Sequence, residues 1–125
     1  MYIILCLDDN NGLAFNHRRQ SQDRIVAEDI SKTVGEKKLW ITDYSRKLFQ
    51  AVSNLEISEN PKEEAKKGEY VFQELETLDT DDEQIEQFII YRWNRVYPAD
   101  VSVEIGAEWK LTETEEFPGF SHEKI

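Results

Sequence analysis

Cysteine is all but missing from this chain of 125 residues: Cys6 is the only one, and it sits inside an apolar run. No intramolecular disulfide can form, so the sequence reads as that of a reduced, cytoplasmic protein whose thiol is buried and unreactive. Histidine is nearly as scarce, with His17 and His122 far apart. Residues 69–105 contain no glycine at all. No stretch approaches the roughly 20 apolar residues needed to span a bilayer. The apolar start ends at Asp8-Asp9 and lacks the basic leader and small-residue cleavage site of a signal peptide. Positive charge is in deficit too: 15 Lys and Arg face 26 Asp and Glu, for a net charge of -11. The imbalance is uneven, with 8 against 7 in residues 1–55 and 7 against 19 in residues 56–125. Such an acidic balance opposes direct binding to nucleic acid, which would be repelled.

What is present is enough for one domain over residues 1–125. Hydrophobic content of 39%, with 11% aromatic residues, supports a core, and 33% charged residues supports a solvated surface. The run Tyr2–Leu7, stopped by Asp8-Asp9-Asn10-Asn11-Gly12, predicts a buried strand leaving a sheet through a turn. A helix is expected over residues 21–34, capped by Ser21, with Asp23 in its first turn and Gly35 as its stop. Residues 38–42 predict a second strand, joined to the first by a parallel crossover. Thr42 or Asp43 can cap a second helix over residues 44–52, with Leu48, Phe49 and Val52 facing inward. Short strands are expected at residues 55–57 and 70–72, with a polar segment opened by Pro61 and closed by Gly68 between them. Residues 74–86 hold seven acids and no base and read as a solvated connection with one helical turn near residues 82–85. Residues 88–93 predict a strong strand, 94–98 a turn, 101–105 and 109–114 alternating strands, and 117–120 a last turn.

The opening order of strand, Asp-x-Asn-x-Gly-type turn, loop and acid at the head of a helix resembles dihydrofolate reductase. Leu39-Trp40-Ile41-Thr42 running into Tyr44-Ser45-Arg46-Lys47-Leu48-Phe49 is similar to that family's second strand and following helix. The late strand with Tyr97-Pro98-Ala99-Asp100, and the stretch Trp109-Lys110-Leu111-Thr112-Glu113-Thr114-Glu115-Glu116-Phe117, resemble its closing strands in order. The resemblance implies a three-layer αβα domain with a mixed, mostly parallel sheet. It places Asp23 where the reductases keep the acid that holds the pterin, and Asn11 and Gly12 on the loop over the nicotinamide. It also marks departures. Arg18-Arg19-Gln20-Ser21 replaces a Leu-Pro-Trp segment, and the Gly-Gly turn that approaches the cofactor pyrophosphate is missing. The resemblance therefore implies a reduced relative without NADPH, and no cofactor is expected. The chain is also similar to a group of small bacterial proteins sometimes labelled ribonuclease Z. Two histidines without a His-x-His-x-Asp-His pattern cannot supply that enzyme's dinuclear zinc site.

Candidate ligand-binding residues lie on the edge spanning residues 11–23. Arg18 and Arg19, with His17 and Arg24, form the one basic cluster of the first third and can offer planar forks to a phosphate or carboxylate. Arg92, beside Trp93 and Arg95, joins them if the late strand lies next to the first. Asn11, Gly12, Arg18, Arg19, Asp23 and Arg92 are thus the candidate set, with Asp23 the one candidate acid for catalysis. Arginines paired with surface acids, and Asp23 as a favourable first-turn charge, are the plainer readings of the same residues. Asp8, Asp9 and Asp43 could meet at strand ends to hold a metal, but turn chemistry accounts for the first two, and no metal is expected. Trp40, Trp93 and Trp109 read as core, and no nucleophile elbow supports a triad at Ser21 or Ser121. The leading expectation is a non-catalytic protein that binds a small anionic ligand or a protein partner. The alternatives are a nucleotide- or pterin-directed enzyme, and an acidic mimic of nucleic acid that inhibits a basic partner.

Overall fold

The computed structural model describes residues 1–16, 18–19, 23–50, 52–75, 84–93, 95–104 and 109. Among these, five strands make an all-parallel sheet: β1 (Tyr2–Leu7), β4 (Leu39–Ile41), β5 (Leu55–Ile57), β6 (Tyr70–Phe72) and β7 (Gln87–Arg92), in the order β5-β4-β6-β1-β7. The antiparallel part expected within a mixed sheet is instead a separate three-stranded sheet, β3 (Arg18–Arg19), β2 (Gly12–Phe15) and β8 (Val101–Ser102).

β1 is central because its side chains are apolar on both faces, as a parallel strand covered on two sides requires. Ile4 belongs to one core with Val26, Ile30 and Val34 of helix α1 (Arg24–Val34), and with Leu39, Ile41, Phe49 and Phe72. Ile3, Leu5 and Leu7 belong to a second core on the other face, with Leu13, Val71, Ile85 and Val103. The first face carries α1 and a 3₁₀ helix at Asp43–Phe49. The second is covered by the three-stranded sheet and by residues beside the four-residue helix α2 (Pro61–Glu64), where Ala65 is buried. Among the described residues the layers are thus α/β with little helix on the second face.

Helix α1 starts later than the sequence suggests. Asp23 itself is the N-cap, its Oδ1 accepting the Ile25 amide at 2.8 Å, while Ser21 lies outside the described residues. Gly35 ends the helix at φ 60°, where its amide donates to the Ser31 carbonyl. The expected second helix is the seven-residue 3₁₀ stretch; it buries Phe49 and is followed by buried Val52. Thr42 precedes it without a side-chain cap bond. The expectations over residues 109–114 and 117–120, and the helical turn near 82–85, fall wholly or mostly outside the described residues.

The crossovers define a crevice. From β1 the chain passes through β2 and β3 of the small sheet before α1 on the first face, and then travels to β4 on one side. From β6 it must pass β1 to reach β7 on the other side, and the described end of that connection, at Ile85, is buried in the second core. β1 and β6 are neighbours, yet β1 leads on to β4 on one side and β6 to β7 on the other, so the strand order reverses between them. That arrangement opens a gap beyond their carboxyl ends, where ligands sit in open parallel sheets.

Candidate functional site

Two polar clusters meet at the carboxyl end of β1. The first is the turn after it. Asp8 is fully buried, and its Oδ1 accepts the amides of Asn10 and Gly12, both at 2.8 Å, while Oδ2 accepts the Tyr97 amide at 3.0 Å. The Asp8 amide donates to the Gly12 carbonyl, and Asn11 takes φ 59°, a left-handed conformation that Asn tolerates. Arg92 from the neighbouring β7 donates through one Nη to the Asp8 carbonyl at 3.2 Å and to Asn11 Oδ1 at 2.8 Å. Arg92 does lie beside the first strand, but the bonds it makes among the described residues go to Asp8 and Asn11 of the turn, and not to the basic cluster of Arg18 and Arg19 that it was expected to join. What joins Arg92 to Asp8 and Asn11 is the architecture of the turn.

The second cluster lines the crevice. Glu74 follows β6, is only 8% exposed, and accepts from Arg19 Nε at 2.6 Å on Oε2 and from an Arg19 Nη at 3.3 Å on Oε1. Ser45, itself 1% exposed, donates its hydroxyl to the same Oε1. The Arg19 guanidinium lies 4.3 Å from the centroid of the Tyr44 ring and also donates to the Tyr44 carbonyl at 3.4 Å. Asp23, Leu48, Phe49, Phe72 and Trp93 complete a mainly apolar lining. The space between these side chains is partly open and, with Arg19 in place, is about 20 Å³, room for a water molecule.

The chemistry of the lining is restrained. Desolvation pushes the Cys6 thiol far above its ordinary range, the Glu74 carboxylate adds to the shift, and Arg19 opposes it only in part. Burial thus works against the thiolate that a nucleophile needs. Beside it across the β1–β7 ladder, the Tyr91 hydroxyl is raised by burial and by its 2.5 Å bond to Asp29. Asp23 faces the crevice at 6% exposure while its Oδ1 caps α1. Among the described residues no group of three or more His, Cys, Asp or Glu is placed to hold a metal ion.

Of the sequence candidates, Arg19 and Asp23 line the crevice, Arg18 is exposed on β3, and Asn11, Gly12 and Arg92 build the turn. The expected anion clamp is occupied from within, because Arg19 already holds a carboxylate. Glu74, Ser45 and Tyr44 were missed by sequence reasoning, which took Glu74 for the first of a solvated acidic run. The available signal was its place just past strand Tyr70–Phe72, at a carboxyl end where site residues gather in parallel sheets.

No protein-family model, curated protein or solved structure matches the chain. Among the described residues no helix is long and apolar enough to cross a membrane.

Proposed function

We propose that this is a non-catalytic binding protein, on a reductase-like α/β scaffold, that takes a small ligand in the crevice beyond β1 and β6. The observation that carries this reading is the convergence of a buried carboxylate, a guanidinium and aromatic walls at the point where the strand order reverses. A few polar groups in an apolar concavity make up the usual lining of a small-molecule site. A chain with one cysteine, which has no partner for an internal disulfide, suits a reducing compartment, and the cytoplasm is the location read from it.

The binding reading is preferred to an enzyme because the groups nearest the cavity are occupied with one another or held protonated. A reductase cofactor fits poorly. Gln73 and Glu74, both 8% exposed, follow β6 and line the crevice, so a polyphosphate would meet a buried carboxylate there.

A thermal-shift screen against NADPH, NADP, folates, nucleotides, simple phosphates and small organic cations tests the reading, with Glu74→Gln and Asp23→Asn alongside. A ligand at 100 times its Kd adds about 2.7 kcal/mol of apparent stability, which raises Tm by several degrees. The expected result is such a rise for at least one class, lost in Glu74→Gln. A flat response to every class in the wild-type protein would sink the crevice as a ligand site.

A further inference from the structure

The crevice cluster has the form of a complete guanidinium-binding site. A carboxylate with little exposure presents both oxygens to a planar N–H fork, a buried serine hydroxyl fixes one of those oxygens, and a tyrosine ring covers one face of the cation. The cation that fills it comes from the chain itself, on a slender arm. Among the described residues β3 is two long, and it pairs with β2 through Ala14 with Arg19 and Phe15 with Arg18. The turn that carries it includes Asn16 at φ 53°, Arg18 is exposed, and Phe15 is 49% exposed. Short strands with little buried apolar surface are the elements that open at low cost.

We propose that the Glu74–Ser45–Tyr44 site is built for a ligand bearing an amidinium or guanidinium group on a flat apolar body, and that Arg19 occupies it as an internal stand-in displaced when the ligand enters. The inference rests on the crevice reading above and gives its ligand class. An anion is the wrong partner. To reach Arg19 it must draw the guanidinium away from Glu74, leaving a carboxylate of 8% exposure without its cation. An amidinium makes the opposite exchange: it takes the Nε and Nη positions on Glu74, and Arg19 is released toward solvent, where a guanidinium is well hydrated. The body of the ligand then meets Phe49, Phe72 and Trp93, which line the cavity behind the ion pair. The cavity enlarges because the departing side chain is one of its walls.

The test is a titration of the wild-type protein with benzamidine, and with benzoate as the anion of nearly the same shape, followed by the Arg19 Nε–Hε NMR signal and by calorimetry. Benzamidine is expected to move that signal to the position of solvent-exposed arginines, and benzoate to leave it in place. Arg19→Ala should bind benzamidine about tenfold or more tightly than wild type, since the site no longer has to be vacated, and Glu74→Gln should abolish binding. If Arg19→Ala does not fold, displacement in the wild-type protein still decides. An unmoved Arg19 signal at saturating benzamidine overturns the inference, as does a signal moved by benzoate instead. If benzamidine is inert while another class in the thermal-shift screen stabilises the protein through Glu74, the crevice reading stands and this ligand class falls. If no class binds, both fall.

Discussion

The turn after β1 and the crevice beside it hold the same kinds of group, a buried acid and an arginine, yet they are wired differently. In the turn, Asp8 is bound by three backbone amides, and Arg92 adds to a carbonyl and to Asn11. In the crevice, Glu74 is bound by two side chains, Arg19 and Ser45. A backbone amide cannot leave without refolding the loop, whereas a side chain can rotate away. The first arrangement therefore fixes the chain and the second can exchange partners, although both bury charge to a similar degree.

The most severe way to break the comparison is Asp8→Ala. Three amides, one buried and two partly buried, lose a charged acceptor, at roughly 1.5–3 kcal/mol for each such bond, less what water recovers at the two partly buried ones. A loss of about 4 kcal/mol in urea denaturation is expected, with residues 95–98 released from the turn after β1 as seen by hydrogen exchange. A loss below about 1 kcal/mol would mean that the turn holds itself without the carboxylate.

Arg19→Ala is next, at about 3 kcal/mol, because it strands the Glu74 carboxylate in its buried position. Here the double variant carries the information. Replacing both members, Arg19→Met with Glu74→Leu, should recover more than half of that loss, since paired removal leaves no buried charge behind. The same rescue is not expected for Asp8, whose carboxylate accepts from three main-chain amides. Equal losses in the single and double variants would erase the distinction drawn between the two clusters.

Asp23→Ala is expected to cost about 1 kcal/mol as the loss of a helix N-cap, with Asp23→Asn nearly neutral because the amide oxygen can still accept from Ile25. The pair also separates structure from binding. An alanine variant that costs nothing in chemical denaturation would remove the capping role and leave the crevice as the reason for an acid there.

Much of this frame could be read in the sequence. The apolar run Tyr2–Leu7 and the short strands at Leu39–Ile41, Leu55–Ile57 and Tyr70–Phe72 stand out because turn residues bracket them, and Gly35 marks the end of α1 by its positive φ. What stayed hidden depends on tertiary partners. Glu74 looks solvated amid the acids around it and is buried only because Arg19 and Ser45 reach it from 55 and 29 residues away. Arg92 looked like a ligand-facing group and Asn11 like a mobile one, and their mutual bond across β1 and β7 has no local signature. The 3₁₀ geometry of Asp43–Phe49 is hidden for a related reason, since the same apolar spacing suits an α-helix over so short a span.

The smallest expected effect lies at the opposite end of the sheet, where the acids Glu86, exposed, and Glu69, half-buried, serve as the reference for both clusters. The chain's ammonium group at Met1, bonded to Glu86 Oε2 at 2.9 Å, holds the Glu86 carboxyl below its ordinary value, helped by the Gly68 amide. Glu69 is lowered first by the Lys66 amide and then by the Trp40 indole N–H. Both carboxyls therefore release their protons more readily in the folded chain than in the unfolded one. Their contribution is complete above the ordinary glutamate value of 4.5 and is lost as the pH falls through the lower folded values. The Tm of Glu69→Gln/Glu86→Gln should then vary less than that of wild type between about pH 5 and about pH 3, while the affinity of any crevice ligand at neutral pH is unchanged. A parallel acid limb in the two proteins would put the acid sensitivity of the fold elsewhere, with the buried carboxylates of the turn and the crevice next in line.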